Sequence, residues 1–216
     1  MSDVGQKNVV RHHDSLTLLP ASHVRIGNRN LTAVDNKGLS GGLAYGAGRL
    51  STITIGANAW LERNGMPATG DGGALFLQQA TLFIGPNFTA IANGAVRGGV
   101  IFSTTKSNIT LVGPARLLDN VAISSGGAIS SNDDYSLFLG EAILLRNCSV
   151  SAGDGGGVFV SAATNFTMMG YVSSDASCIV MCDAKTTSIN LYYTNDICVC
   201  AQRPYQSGAE GRVMCC

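Results

Sequence analysis

Charge and long apolar runs are what this 216-residue chain has little of. Only 13% of its residues are charged, and 14 Lys and Arg balance 14 Asp and Glu. A net charge of zero removes the electrostatic basis for holding nucleic acid or an anionic membrane, so neither is an expected partner. No apolar run approaches the ~20 residues of a membrane-spanning helix. The opening MSDVGQKNVVRHHD is polar and is no signal peptide. The expectation is therefore either a cytosolic protein or a piece of a longer one whose export signal lies elsewhere. No stretch sustains apolar residues at helical spacing, which excludes a helical bundle. All seven cysteines lie at or after Cys148.

What the chain has in plenty is glycine, 27 residues, and it is placed periodically. DGGALF at 71 returns as RGGVIF at 97, SGGAIS at 125 and DGGGVF at 154. Counting GGLA at 41 as well, the first glycines Gly41, Gly72, Gly98, Gly126 and Gly155 recur about every 28 residues. A second mark, apolar residues closing on one glycine, falls at Gly27, Gly56, Gly85, Gly113, Gly140 and Gly170. A third, an apolar residue, two spacers and asparagine, falls at Asn36, Asn64, Asn93, Asn120 and Asn147. Three independent marks in one phase make a solenoid. The apolar segments are short, rich in Ile, Val, Phe and Leu, and bounded by Gly, Asn and Ser, so they read as strands.

The expected fold is all-β, a right-handed parallel β-helix of about five to six coils of ~28 residues, its strands stacked ~4.8 Å apart. Residues 24–175 hold the coils, 1–23 form an N-terminal segment or cap, and 176–216 form a Cys-rich cap or tail. The Gly pairs turn the coil. Ala44, Leu75, Ile101, Ile129 and Val158 are predicted to stack inward, and Ile26, Ile55, Ile84, Val112, Leu139 and Met169 to form a second inward column. Tyr45, Phe76, Phe102 and Phe159, with Ser130 between the last two, make an aromatic column. The asparagines are predicted to stack into an amide ladder that satisfies their buried groups.

The GGAL at 72, the GGAI at 126 and the LERN, LLDN and LLRN segments resemble the repeat of the polymorphic outer membrane protein family, G-G-A-[ILV] with F-x-x-N. The resemblance implies a pectin-lyase-like β-helix in a secreted or cell-surface protein. It implies an adhesin or passenger segment of the outer membrane, with glycans or surface proteins as partners, or a spacer role.

Neither catalytic, cofactor-binding nor metal-binding residues are assigned. Asp133 and Asp134 adjoin, but strand geometry turns one inward or into a bend and the other to solvent. Asp71 and Asp154 share a column three coils apart, roughly 14 Å, too far for a catalytic pair. Asp119 and Arg146 are expected to form a surface ion pair. His12, His13 and His23 fall before the first clear coil. Cys178 and Cys182 make C-x3-C, Cys198 and Cys200 make C-x-C, and neither has the common zinc spacing; Cys215 and Cys216 end the chain. Cys148 and Cys178 are expected to stack in adjacent coils as thiols or as a disulfide. Glycosylation sequons occur at Asn30, Asn87, Asn108, Asn147 and Asn165, the fourth of them expected inside the ladder. The reading is a non-catalytic surface module, and the alternative is a polysaccharide lyase or hydrolase.

Overall fold

The computed structural model describes backbone and side chains for residues 21–27, 30–65, 70–153, 155–161 and 165–169. It adds backbone strands at Ser2–Asp3, Val9–Arg11, Leu16–Leu18, 28–29, Val172–Asp175, Ile179–Met181, Ser188–Tyr192, Ile197–Ala201 and Val213–Met214. Those residues form an all-β solenoid of about five turns with no helix. Successive coils pair in parallel, at offsets that follow the sequence period: Ile101 with Ile129, Leu111 with Leu139, Leu117 with Leu145.

Each coil carries up to four strand segments. The first face stacks Leu75–Ile84, in its first half, with Ile101–Thr104, Ile129–Asn132 and Val158–Ser161. The second stacks the latter half of Leu75–Ile84 with Asn108–Leu111, Ser136–Leu139 and Asn165–Met169. The third runs Thr32–Val34, Trp60–Glu62, Phe88–Ile91, Ala115–Leu118, Ile143–Arg146. A short fourth holds Gly94–Arg97, Val121–Ser125 and Ser149–Val150.

Period-2 alternation along each strand sends one set of side chains into the coil. Ala44, Leu75, Ile101, Ile129 and Val158 form the expected inward column, all fully buried. A fully buried aliphatic side chain of Leu or Ile size contributes roughly 1.5–3 kcal/mol, and such columns fill most of the coil interior. The second inward column differs from the expected one at two places. Leu111 and Met168, not Val112 and Met169, continue the row Ile84–Leu139. Met169 is 38% exposed. The physical reason is a shift of one residue at the corner: the Val112 amide donates to Ile84 O, where Gly85 and Gly140 donate to Ile55 O and Leu111 O. Val112 thus occupies the corner position that glycine holds in the neighbouring coils, and the glycine of TLVG sits one residue later.

The Gly-Gly corner uses its two residues differently. Gly98 has φ of 60°, and a Cβ there would strike the carbonyl of Ile101 in its own coil. Gly99 has no positive φ, yet its Cβ would strike the carbonyl of Gly127 in the next coil. The first glycine therefore makes the turn, and the second permits the stacking.

The asparagine ladder is built in full at four coils. The Asn64 side-chain amide donates to Asn93 Oδ1 at 2.9 Å and to Ala33 O at 3.0 Å, and its backbone N–H donates to the same Asn93 oxygen at 2.9 Å. Asn36 repeats the first contact on Asn64 at 2.8 Å, and Asn93 on Asn120 at 3.0 Å. The expected fifth rung is wrong by one residue. Cys148, fully buried, takes the place assigned to Asn147: Asn120 Nδ2 donates to its sulfur at 3.9 Å, and the thiol donates to Leu117 O at 3.3 Å. A thiol both accepts and donates, so it can stand in for an amide at one rung. Asn147 is exposed instead and donates to Asp119 Oδ1 at 3.0 Å. That contact also replaces the expected Asp119–Arg146 pair, which does not form among the described residues. Burial pushes the Cys148 thiol pKa up. Cys178, the partner expected for it, lies outside the described residues, as do the side chains of the later cysteines.

The register error is testable by stability. Asn93→Ala leaves a buried amide N–H of Asn64 and the Asn120 oxygen unmatched and is expected to cost about 3 kcal/mol, whereas the exposed Asn147→Ala should cost under ~0.5 kcal/mol. Urea midpoints of the two variants check this; equal losses would restore Asn147 to the ladder.

Candidate functional surfaces

The carboxylates separate as the strand geometry requires. Asp133 is exposed with φ of 56°, and Asp134 is 2% exposed inside the coil. At the inward position held by Leu77 and Val160 in flanking coils, this stretch carries Ser103 and Ser131. Their hydroxyls both donate to Asp134 Oδ2, that of Ser131 at 2.7 Å, and the Ser107 backbone N–H donates to Oδ1 at 3.0 Å. Loss of solvent is the main cause that pushes the Asp134 pKa up from 3.8 to about 6; the three hydrogen bonds oppose it and the neighbouring Asp133 charge adds to it. A shifted carboxyl of this kind suggests chemistry when it opens on a cleft. Here it lies buried inside the coil, bonded to Ser103, Ser131 and the Ser107 N–H, and braces the bend at 133–135.

Asp71 pairs with Arg97 of the next coil in a two-pronged contact, 2.9 and 2.6 Å. The bond to Asp71 holds the Arg97 guanidinium above its ordinary pKa. Asp154, expected in the same column, lies outside the described residues, as do His12 and His13; His23 is exposed at the start of His23–Arg29. The aromatic column is real over three coils. Tyr45, Phe76 and Phe102 stack with centroids 4.9 and 5.2 Å apart, and the Arg97 guanidinium lies 4.2 Å from the Phe102 centroid. Ser130 interrupts the stack and hydrogen-bonds Ser125 at 2.9 Å. Nearly parallel rings stacked along the solenoid axis spend their faces on one another, so this column locks coil to coil; Tyr45 and Phe76 are half-buried and Phe102 is fully buried.

Two outer surfaces gather side chains that the coil interior does not use. On the second face, Thr52, Thr81, Asn108, Ser136 and Asn165 align in one row, coil after coil. Beside it runs Thr54, Phe83, Thr110, Phe138, Thr167, with Phe83 42% exposed. The first row is neutral hydroxyl and amide throughout, at ~4.8 Å steps. At the corner between the second and third faces lies a cleft of about 470 Å³, lined by Asn87, Thr89, Pro114, Arg116, Ala142 and Leu144 among others. Among the described residues no cluster of His, Cys, Asp or Glu has the grouping of a metal site, and no helix is long and apolar enough to cross a membrane. Four sequon asparagines, Asn30, Asn87, Asn147 and Asn165, are exposed, and Asn108 is half-buried.

Asp134 gives the fold a pH dependence whose sign follows from its raised pKa. Between its unfolded pKa of 3.8 and its folded value of about 6, the native state holds a proton that the unfolded state has released. Its contribution is present below pH 4 and is lost as pH rises through 6, on the order of 3 kcal/mol. Asp134→Asn keeps an acceptor for the Ser107 N–H and cannot ionise. Its stability should therefore fall less than that of the native protein between pH 4 and 7.5, read from urea unfolding at each pH. Parallel curves for the two proteins would show that Asp134 is not buried.

Comparison of the chain with protein-family models, with curated proteins and with solved structures gave no match.

Proposed function

We propose that this chain is a non-catalytic β-helix module of a secreted or surface-displayed protein, adhesin- or passenger-like, that holds glycans or surface proteins along its flank. The observation that carries the reading is the in-register row Thr52, Thr81, Asn108, Ser136, Asn165. A rigid flat sheet fixes these neutral donors and acceptors before any ligand arrives, so binding orders little of the protein and each coil adds a repeated contact. Neutral hydroxyl and amide groups suit the hydroxyls of a glycan, and Phe83 beside them supplies an apolar face. The surface location rests on the likeness of the GGAL and GGAI repeats to the polymorphic outer membrane protein pattern. The polysaccharide-cleaving alternative gains nothing from Asp134, whose oxygens are taken up inside the coil.

An array of glycans and host-surface proteins, probed with the native chain and with Thr81→Lys, Ser136→Lys, tests the proposal. Binding that falls about tenfold in the variant, with unchanged melting temperature, is the expected result. A blank array with the native chain leaves only the spacer role. Cleavage of a polysaccharide that disappears in Asp133→Ala, Asp134→Ala would move the protein to the enzyme reading.

A further inference from the structure

The cleft between the second and third faces has three features that the coil itself does not use. Arg116 stands exposed on its wall and forms neither an ion pair nor a hydrogen bond among the described residues. Asn87 lines it at the end of a short outer ladder, donating to Asn58 Oδ1 at 2.9 Å. In the next coil the ladder position is Pro114, which has no N–H to give, so among the described residues no group donates to the exposed Asn87 Oδ1. Pro114, Ala142 and half-buried Leu144 supply an apolar wall, and Thr89 adds a hydroxyl between the bulk of Trp60 and Arg116. Strands fix all of these except the corner residues, so the cleft is built before a ligand arrives.

A ligand that satisfies this set carries a carboxylate for the guanidinium, an N–H for the Asn87 oxygen and an apolar group for the Leu144 wall. The last residue of a peptide has all three within one residue. We infer that the cleft takes the free C-terminus of a peptide ending in an apolar side chain. The carboxylate forms the two-pronged contact with Arg116, the terminal residue's N–H donates to Asn87 Oδ1, and its side chain lies against Pro114 and Leu144. At 470 Å³ the space is within the ordinary range for a small bound group. Glu141, next in the chain to Ala142, also lacks an ion pair among the described residues. Its charge opposes an incoming carboxylate. This site and the polar row on the second face are separate surfaces, and neither depends on the other.

The test titrates the chain with acetyl-Ala-Ala-Leu as free acid, the same peptide as C-terminal amide, and 4-methylpentanoate, which keeps the carboxylate and the branched chain but has no N–H. The acid peptide is expected to bind at least about tenfold more tightly than the amide. Arg116→Gln is expected to erase that difference without moving the melting temperature, because the exposed Arg116 side chain forms no ion pair or hydrogen bond among the described residues. Leu144→Ser should weaken acid and amide alike, and Glu141→Gln should strengthen the acid alone. Equal binding of acid and amide, an acid preference that survives Arg116→Gln, or no saturable binding of the acid peptide overturns the inference. Binding of 4-methylpentanoate as tight as that of the peptide overturns the peptide assignment. Thr81→Lys, Ser136→Lys should leave peptide binding untouched, so failure here and failure of the surface-module reading are seen separately.

Discussion

The Asn93 amide is shared among three coils. It accepts from Asn64 on one side, donates to Asn120 on the other, and returns its second proton to the carbonyl of Leu61. A buried amide left unmatched costs a few kcal/mol, so once one coil carries an inward asparagine at this corner the next is obliged to supply a partner at the same height. That obligation fixes the register. With register fixed, the aliphatic columns meet like with like, and Gly42, Gly73, Gly99 and Gly127, the second glycines of their pairs, must lack a Cβ because the adjacent corner passes against them. Hydrophobic burial supplies most of the driving force and forbids a one-residue slip, which would turn the inward set outward; a two-residue slip keeps the apolar pattern, and it is the amides that oppose it.

The same logic accounts for the buried polar patch around Asp134. Ser103 and Ser131 weaken two positions of the apolar lumen, and the carboxylate that joins them closes the bend instead. Asn36 to Asn120 use neutral amides and carry no pH dependence. Asp134 does the similar task with an ionisable group and makes this one bend sensitive to pH. At neighbouring corners the chain uses Ser107, whose hydroxyl accepts from the Ala80 N–H and donates to Thr104 O.

Much of this was legible from residue identities. Glycine pairs, apolar triplets and asparagines kept one phase, and the first inward column, Ala44 to Val158, was readable from its offset to the glycines. The errors share a cause: each came from following a residue type where the structure follows a position. Asn147 looked like the fifth rung, but the rung is Cys148, because the site needs one group that both accepts and donates rather than an amide as such. Val112 looked inward because glycine followed it, yet the corner there is displaced by one residue. Asp119 took Asn147 rather than Arg146 for the same reason, since that register sets Asp119 opposite Asn147. The cleft at Arg116 had no sequence signal. Its residues face outward, do not repeat from coil to coil, and come together only because Asn87 and Pro114 occupy the same corner in adjacent turns.

The most direct test of the ladder is hydrogen exchange and proton–proton contacts of the asparagine side-chain amides in solution by NMR. The account predicts that Asn64, Asn93 and Asn120 exchange far more slowly than Asn147 and Asn87, with direct contacts between the side-chain amides of Asn64 and Asn93. Uniformly fast exchange, or protection of Asn147 in place of these three, would contradict it.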